Sequence, residues 1–395
     1  MRGLPRELWV LIAAAFIVAL GYGIIAPILP QYARSFDVGV AAASLIVSAF
    51  AAMRLAFTPA AGGLIGRLGE RRVYMSGLLI VAASTGLCAA AQSYYQLLFV
   101  RALGGVGSTM FTIAAMGLIV RLAPADVRGR TSALYGTSFL LGNVVGPMLG
   151  SALAFLGYRT PFVIYAIALV IAASVAGVLL PRHALRDRAE DARPPLTLRQ
   201  ALGLPAYRTV LISGFANGWT NFGVRIALLP LFAAAVPAIG AGFAGLGLTV
   251  FALANFVSLQ GSGRLVDRLG RKPVLLAGLV ICAAANLAFG WSGSVPVFLA
   301  LSALGGIGSS LVAPSQQAMV ADIIGRDRSG GQALATFSMA QDLGSIIGPI
   351  LTGFVADQVG FGWAFGLSGA LMVVATLAWL PVPDTMVRPA ADDPR

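Results

Sequence analysis

Asp342 is the one acidic residue that lies deep within an apolar run of this 395-residue chain. The other fourteen of the 15 acids lie in polar segments or at the ends of apolar runs. Asp342 stands about 11 residues into its run, on the order of 16 Å along a helix, which is near the middle of a bilayer. Intramembrane acids are functional candidates by default. We therefore predict that Asp342 binds and releases a proton, with a permanent salt bridge as the alternative.

The segments around this acid have the composition of a membrane protein. Hydrophobic residues make up 58% of the chain and charged residues 11%, more apolar surface than one soluble core can bury. A helix of about 20 residues crosses a hydrocarbon layer of roughly 30 Å. The sequence predicts twelve such spans, numbered 1–12, at 8–30, 41–64, 73–92, 96–122, 131–155, 161–180, 209–235, 242–264, 273–292, 296–323, 331–356 and 362–382.

The 27 Lys and Arg residues, which give a net charge of +12, are distributed unevenly between the two sides. They concentrate in alternate loops and the tail, whereas the opposite loops hold only Arg34 and Arg159. This asymmetry predicts a multi-pass protein of the cell (inner) membrane with both termini in the cytoplasm. The basicity thus reports orientation, and nucleic acid is not an expected partner. The expected partners are the lipid bilayer, protons and a small-molecule substrate, and we expect a functional monomer.

The chain repeats itself at half its length. Residues 102–108, Ala-Leu-Gly-Gly-Val-Gly-Ser, match residues 303–309, Ala-Leu-Gly-Gly-Ile-Gly-Ser, 201 positions later. Six spans per half give two repeats of the same orientation, related by an axis along the bilayer normal. We predict an all-α membrane protein with twelve transmembrane helices in two six-helix pseudo-symmetric bundles. The N-terminal bundle covers 1–180, a cytoplasmic linker covers 181–207, and the C-terminal bundle with a short cytoplasmic tail covers 208–395.

Three motifs in this arrangement resemble those of the major facilitator superfamily. The basic hairpin Gly-Arg-Leu-Val-Asp-Arg-Leu-Gly-Arg-Lys at 263–272, with a weaker copy at 62–71, is similar to the cytoplasmic loop signature of that family. Residues 101–107, Arg-x-x-Gly-Gly-x-Gly, resemble the span 4 motif of its proton-coupled members. Residues 142–150, Gly-x-x-x-Gly-Pro-x-x-Gly, resemble the span 5 motif of its drug:proton antiporters. The resemblance covers essentially the whole chain and implies the major facilitator fold.

The resemblance implies a secondary active transporter. We expect export of small amphiphilic compounds, drug-like or lipid-like, by proton antiport through alternating access. Proton-coupled or facilitative uptake of a small metabolite in the same fold is the alternative. An enzyme is not expected, because one linker histidine, His183, and one deep acid form no recognisable hydrolytic set. Neither a cofactor nor a metal is expected.

Two arginines within the spans join Asp342 in the predicted proton-coupling set. The resemblance implies that spans 2 and 11 pack together, which would put Arg54 within reach of Asp342. We predict that the two residues pair in one state and that protonation of Asp342 releases Arg54. The span 4 motif implies a proton-relay or gating role for Arg101. The alternative for each arginine is a cation that extends to the interface or, for Arg54, binds backbone carbonyls.

Gating is predicted for the two hairpins and for span 5. Asp267 could accept hydrogen bonds from the start of a neighbouring helix and latch the cytoplasmic side shut, whereas Gly66 replaces this acid in the first hairpin. Asp267 would then hold the outward-facing state. The alternatives are membrane topology alone for the cations and ordinary packing for the span 5 motif. The predicted gating residues are Gly62, Arg67, Gly69, Arg71, Gly263, Asp267, Arg268, Gly270, Arg271, Gly142, Gly146 and Pro147.

Substrate contacts are predicted from polar residues of spans 1, 7 and 10. They are Tyr22, Asn217, Trp219, Asn221, Arg225, Gln316 and Gln317. A packing role is the alternative for any single one of them. Three intramembrane arginines against one acid suit neutral or anionic amphiphiles at least as well as cations.

Overall fold

A computed structural model describes residues 5–123, 128–180, 196–325, 328 and 330–386. The described residues form helices and connecting turns, without a β-strand. Most of the predicted linker, including His183, lies outside the described residues.

The first half contains seven α-helices, of which α1 and α2 together form span 1. They are α1 (Arg6–Ile25), α2 (Leu29–Arg34), α3 (Val40–Leu68), α4 (Glu70–Ala89), α5 (Tyr94–Leu122), α6 (Arg128–Leu153) and α7 (Thr160–Leu179). Spans 2 to 6 correspond to α3 to α7. The run of the chain through these helices agrees with the predicted order of six spans.

The second half begins with a short helix, α8 (Leu198–Leu202). Span 7 consists of α9 (Pro205–Asn217), a π-helical segment (Gly218–Val224) and α10 (Arg225–Ala235). Spans 8 to 12 are α11 (Ala244–Leu269), α12 (Arg271–Phe289), α13 (Val295–Ile324), α14 (Gly331–Val359) and α15 (Phe361–Trp379). Ten helices of the described chain are long and apolar enough to cross a membrane, and α6 and the broken span 7 complete the predicted twelve. The all-α membrane fold is confirmed.

Both predicted hairpins turn on a glycine. Gly69 separates α3 from α4 at φ 80°, and Gly270 separates α11 from α12 at φ 106°. A side chain at either residue would be strained in this region of backbone space. One residue therefore suffices to reverse the chain, and the charges on either side of the turn are held close together.

The two halves meet along two seams, α3 against α14 and α6 against α11. The first seam is the packing of spans 2 and 11 that the family resemblance implies. Within each half, glycines permit close approach of helix backbones. A Cβ on Gly146 of α6 would lie 2.5 Å from the carbonyl oxygen of Leu20, and a Cβ on Gly344 of α14 would lie 2.1 Å from that of Phe215.

The two ends of the bundle differ in charge. We call the end that holds Arg67, Arg121 and Arg268 the basic face. The opposite end, with Arg34, Asp37, Arg159 and Asp357, is the neutral face, because its described charges balance. The basic face is the one that the sequence predicts to be cytoplasmic.

The halves are in contact at the neutral face and apart at the basic face. In α3, seven residues between Val40 and Phe50 are buried, but beyond Phe50 only Ala61 is. A Cβ on Gly62 or Gly66 of α3, or on Gly263 of α11, would find no other atom within 4 Å. A central space therefore opens toward the basic face and ends in packed side chains near the neutral face.

Candidate functional site

Asp342 lies in α14 at the α3–α14 seam, partly exposed to the central space. Arg54 of α3 is the charged group whose electrostatic field acts on its carboxyl, although no ion pair within 4.0 Å joins the two in the described chain. Arg54 is also half-buried, and its Nε has no hydrogen-bond partner among the described residues. The structure therefore places the two opposite charges across the seam from each other while leaving them unpaired.

Close packing of neighbouring helices holds this pair of residues in position. The Thr109 hydroxyl of α5 donates a hydrogen bond to the Arg54 carbonyl at 3.0 Å. On the other side, a Cβ on Gly218 of the π-helical segment would lie 1.9 Å from the Gln341 carbonyl oxygen. Span 7 thus contacts the backbone directly beside Asp342. A change at this acid acts on α3 across the seam and on span 7 within its own half.

Arg101 in α5 is 3% exposed and lies near the neutral face. Its guanidinium carbon is 4.2 Å from the centre of the Phe50 ring and 5.9 Å from that of Tyr22. The negative face of an aromatic ring attracts a cation, which provides part of the stabilisation that water would give. Within the described parts of the chain, the Arg101 Nε has no hydrogen-bond partner and no acid pairs with the guanidinium.

Arg225, the first residue of α10, has a similar environment in the other half. Its guanidinium carbon lies 3.9 Å from the centre of the Phe251 ring, and Phe251 is the repeat equivalent of Phe50. One Nη donates a hydrogen bond to the Asn221 side-chain oxygen at 3.3 Å, and the Asn221 amide donates one to Asn217 at 2.8 Å. In each half, a buried guanidinium therefore lies over the equivalent phenylalanine. Span 4 supplies the guanidinium in the first half, and span 7 supplies it in the second.

The predicted substrate residues divide by accessibility. Tyr22 is half-buried and Gln317 is exposed. The other five, Asn217, Trp219, Asn221, Arg225 and Gln316, are buried in this conformation. Among the described residues, both polar atoms of the Gln316 amide and the Nδ2 of Asn217 are buried without a hydrogen-bond partner, a cost that a bound ligand or water would remove.

The neutral face is joined by hydrogen bonds that sequence analysis did not find. The Asp357 carboxylate at the end of α14 accepts hydrogen bonds from the backbone N–H groups of Val40 and Ala41, both at 2.8 Å. These N–H groups begin α3, where a helix attracts negative charge. At the other seam, the Gly245 N–H donates to the Ser151 hydroxyl at 2.9 Å. Among the described residues, these three hydrogen bonds are the ones that join the two halves, and all three lie at the neutral face.

The hairpin cations make specific contacts within their own halves. Arg71 donates a hydrogen bond to the Gly177 carbonyl near the end of α7. Lys272, its repeat equivalent, donates to the Leu380 and Val382 carbonyls after α15, at 2.9 and 2.7 Å. Cations at the ends of helices satisfy free carbonyl groups there. These residues therefore tie the hairpin of each half to that half's last span, in addition to any effect on topology.

The remaining hairpin residues of the predicted gating set lie at the open basic face, whereas Gly142, Gly146 and Pro147 of α6 pack against α1. Asp267 is 75% exposed and lies 3.5 Å from Arg271, one helical turn later. Among the described residues, no hydrogen bond or ion pair joins Asp267 to the other half. Asp267 could therefore form the predicted latch with a neighbouring helix only after the basic face closes.

Comparisons with known proteins agree with this architecture. The sequence pattern of the Major Facilitator Superfamily matches residues 11–236 and 210–394. The chain is 25% identical to the Multidrug resistance protein 2 of Bacillus subtilis, with 94% of each chain covered. It is 23% identical to the Quinolone resistance protein NorA of Staphylococcus aureus, with 94% of this chain and 96% of that protein covered.

Solved structures share the fold at low sequence identity. A bacterial homologue of the human lysosomal transporter Spinster, in an inward-facing and occupied conformation, superposes with a TM-score of 0.79 at 15% identity, covering 95% of each chain. A transporter of the POT family superposes with a TM-score of 0.78 at 13% identity, covering 95% of this chain and 96% of that one.

Proposed function

The chain belongs to the major facilitator superfamily, and from this premise we propose that it exports small amphiphilic compounds in exchange for protons. The substrates would be drug-like or lipid-like molecules. The protein would move them across the membrane without changing their covalent structure. Two halves that close at one face and part at the other provide the alternating access that such a cycle needs. The full-length similarity to a multidrug resistance protein and a quinolone resistance protein supports export rather than uptake.

The observation that carries the proposal is the position of Asp342. It is the acid that the sequence places deep in a span, it faces the central space, and it lies opposite Arg54 across a seam that must change during transport. A carboxylate there is attracted to Arg54, whereas a protonated carboxyl is not. Binding of a proton would therefore change the attraction between α3 and α14, which is the differential interaction that coupling requires.

Charge within the membrane supports neutral or anionic amphiphiles as substrates. Arg54, Arg101 and Arg225 supply three positive charges, and Asp342 supplies the one deep acid. If Asp342 and Arg54 balance each other, the two guanidiniums near the closed end of the space remain without an acidic partner in the described chain. A cation at that end would meet repulsion from both.

We further propose that the basic face lies in the cytoplasm, so that this conformation is the inward-facing one of the exporter's cycle. Substrate would enter the central space from the cytoplasm or from the inner leaflet of the membrane. Closure of the basic face would then bring Asp267 toward the other half, and separation at the neutral face would release the substrate. We propose that one chain completes this cycle as a monomer.

The test is transport by the purified full chain in liposomes with a pH-sensitive dye inside. The substrate probes are a quinolone, a fluorescent fatty acid and a lipophilic cation, each driven by an imposed pH gradient. We expect substrate and protons to move in opposite directions in wild type, and Asp342→Asn to lose the response to the gradient. Asp37→Asn, a neutral-face change away from the central space, serves as the matched control.

Three other outcomes would each contradict one part of the proposal. Movement of substrate and protons in the same direction would identify the uptake alternative. Gradient-driven export by Asp342→Asn at the wild-type rate would remove Asp342 from proton coupling. Transport of the lipophilic cation in preference to the fatty acid would contradict the charge argument and leave export itself intact.

A further inference from the structure

We propose that a cavity at the neutral face binds an anionic phospholipid of the adjacent membrane leaflet and thereby stabilises the conformation in which that face is closed. The cavity has a volume of about 380 Å³ and lies at the α6–α11 seam, away from the central space. Ile28 and Gln31 line it from the region of α2, Ser151, Phe155 and Tyr158 from the end of α6 and the turn after it, and Gly242 from the start of span 8.

The size and lining of the cavity suit an acyl chain and its ester region. Binding sites for small amphiphiles are typically 300–1,000 Å³, mostly apolar and with a few polar groups. Here Ile28 and Phe155 supply apolar surface, and Gln31 and Tyr158 supply hydrogen-bonding groups. Phe155 is 82% exposed, so its apolar ring is left uncovered by the rest of the protein. A lipid tail in the cavity would cover this surface.

The charge of the expected occupant follows from the cations around the cavity. The loops of the neutral face hold two basic residues, Arg34 and Arg159. Arg34 follows the cavity residue Gln31 by three positions on one helix, and Arg159 directly follows Tyr158. Both are exposed, although one Nη of Arg159 also donates to the Ala91 carbonyl at 3.0 Å. The acids of this face are Asp37 and Asp357, and Asp357 is bound at the start of α3 in the other seam. The two arginines are therefore the charged residues that follow the cavity residues in the chain, where a phosphate headgroup would sit above an acyl chain in the cavity.

A ligand in the cavity should affect the conformation because residues of both halves line it. Most of the lining belongs to the first half, but Gly242 belongs to the second, and the hydrogen bond from Gly245 to Ser151 joins the halves beside the cavity. When the neutral face opens, α6 and α11 must separate at this point, and the cavity loses one wall. A ligand that binds only the closed form shifts the equilibrium toward it.

Binding is tested by native mass spectrometry of the full chain with phosphatidylglycerol and phosphatidylcholine of identical acyl chains. We expect wild type to retain phosphatidylglycerol in preference. A side chain at Gly242 would meet no atom within 4 Å in the structure, so Gly242→Trp should fill the cavity without disturbing the backbone. The matched control is Gly293→Trp, which also has open space and lies in another loop of the same face.

The expected results are specific to cavity and charge. Gly242→Trp should lose the retained lipid, and Gly293→Trp should keep it. Arg34→Gln should lower the preference for phosphatidylglycerol about fivefold, the effect of one interfacial cation. The thermal unfolding midpoint confirms that each variant is folded, and Gly242→Phe replaces any Gly242→Trp protein that is not.

Conformation is measured by spin labels at Ser35→Cys and Gln358→Cys, exposed positions at the other seam. The native cysteines, Cys88 and Cys282, are buried and should not react. Phosphatidylglycerol should shorten the mean distance between the labels in wild type and leave Gly242→Trp unchanged. Equal lipid retention by Gly242→Trp and wild type, no preference for the anionic lipid, displacement of the lipid by a transport probe, or a lipid-induced longer distance would each overturn the proposal. None of these measurements requires transport, so they stand apart from the test of export.

Discussion

Glu70 and Arg271 occupy equivalent positions in the two halves, 201 residues apart, and carry opposite charges. Glu70 begins α4 and lies 2.7 Å from Arg121 at the end of α5. Arg271 begins α12 and lies 3.0 Å from Asp322 near the end of α13, and Asp322 is the equivalent of Arg121. Both halves therefore keep an ion pair between their third and fourth spans at the basic face, with the charges exchanged.

This exchange predicts that the pair in the first half can be reversed. Glu70→Arg alone should lower the free energy of unfolding by about 2–3 kcal/mol, because a largely buried carboxylate is replaced by a cation facing Arg121. The double variant Glu70→Arg/Arg121→Asp should recover most of the loss, since the second half already accommodates this arrangement. Thermal unfolding of the purified proteins measures both.

An exposed charge change on the same helix serves as the control for this reversal. Arg72→Glu should leave the unfolding midpoint nearly unchanged, since Arg72 is exposed and has no described ion pair. A double variant as unstable as Glu70→Arg would show that the position of the pair, rather than its charge complementarity, stabilises the half.

The sequence predicted the parts of the structure that depend on local composition and on repetition. Apolar runs predicted the helices, and the repeated motif at 62–71 and 263–272 predicted the two hairpins. The equivalence of Glu70 with Arg271 could have been found from the repeat alone. Each of these signals is contained in one segment or in a pair of aligned segments. The proximity of Arg54 and Asp342 was instead implied by the family resemblance, through the packing of spans 2 and 11, and by no local signal.

Contacts between distant segments could not be predicted in this way. Asp357 and Val40 are 317 residues apart, and nothing in the repeat pairs them, because the position equivalent to Asp357 is Phe155. The π-helical segment at Gly218–Val224 has no counterpart in α1, although the two segments align without a gap. The burial of Arg225 follows from that local geometry and from the ring of Phe251, which only the packed half brings together.

The same substitution at two glycines of α6 should change the stability by different amounts. A Cβ at Gly146 would lie 2.5 Å from the Leu20 carbonyl oxygen and 2.7 Å from the Gly23 Cα, so Gly146→Ala must move one backbone away from another. We expect a loss of about 1–3 kcal/mol in the free energy of unfolding, as for other overpacked sites. Gly136→Ala, in open space on the same helix, should be neutral or slightly stabilising.

Transport per folded molecule distinguishes a packing role of the span 5 motif from a role in antiport. If Gly146→Ala lowers stability but the folded fraction transports at the wild-type rate, the glycines serve packing. A loss of proton-coupled transport in fully folded protein would instead assign them to the transport cycle. The unfolding midpoint and the liposome assay together make this comparison.

Addition of an acid to the first hairpin should favour the closed basic face. Gly66→Asp introduces a carboxylate at the position equivalent to Asp267, and the structure shows open space there. An acid near a helix start contributes about 0.3–1 kcal/mol, which is up to about a fivefold shift of the conformational equilibrium. We expect a cysteine introduced into the closed contact at the neutral face to react faster with a water-soluble thiol reagent. Gly63→Asp, one turn away and also in open space, is the control.

Removal of the contact at the opposite face should act in the same direction. Asp357→Asn replaces a carboxylate that accepts two backbone hydrogen bonds at the start of α3, and its amide can accept only with one oxygen. Hydrogen bonds to a charged group contribute about 1.5–3 kcal/mol, so loss of one should increase the population with an open neutral face roughly tenfold or more. The spin labels at Ser35→Cys and Gln358→Cys should then report a longer mean distance.

The control for this variant is Asp37→Asn, an exposed acid of the same face whose positive φ of 58° an asparagine tolerates. It should leave the label distance unchanged. If Asp357→Asn also leaves it unchanged, the closed face depends on the α6–α11 seam, where Ser151 accepts the hydrogen bond from Gly245. Ser151→Ala should then lengthen the distance by itself. If neither Asp357→Asn nor Ser151→Ala lengthens the label distance, apolar packing along the two seams holds the neutral face closed. The two polar contacts would then make no measurable contribution to the closed state.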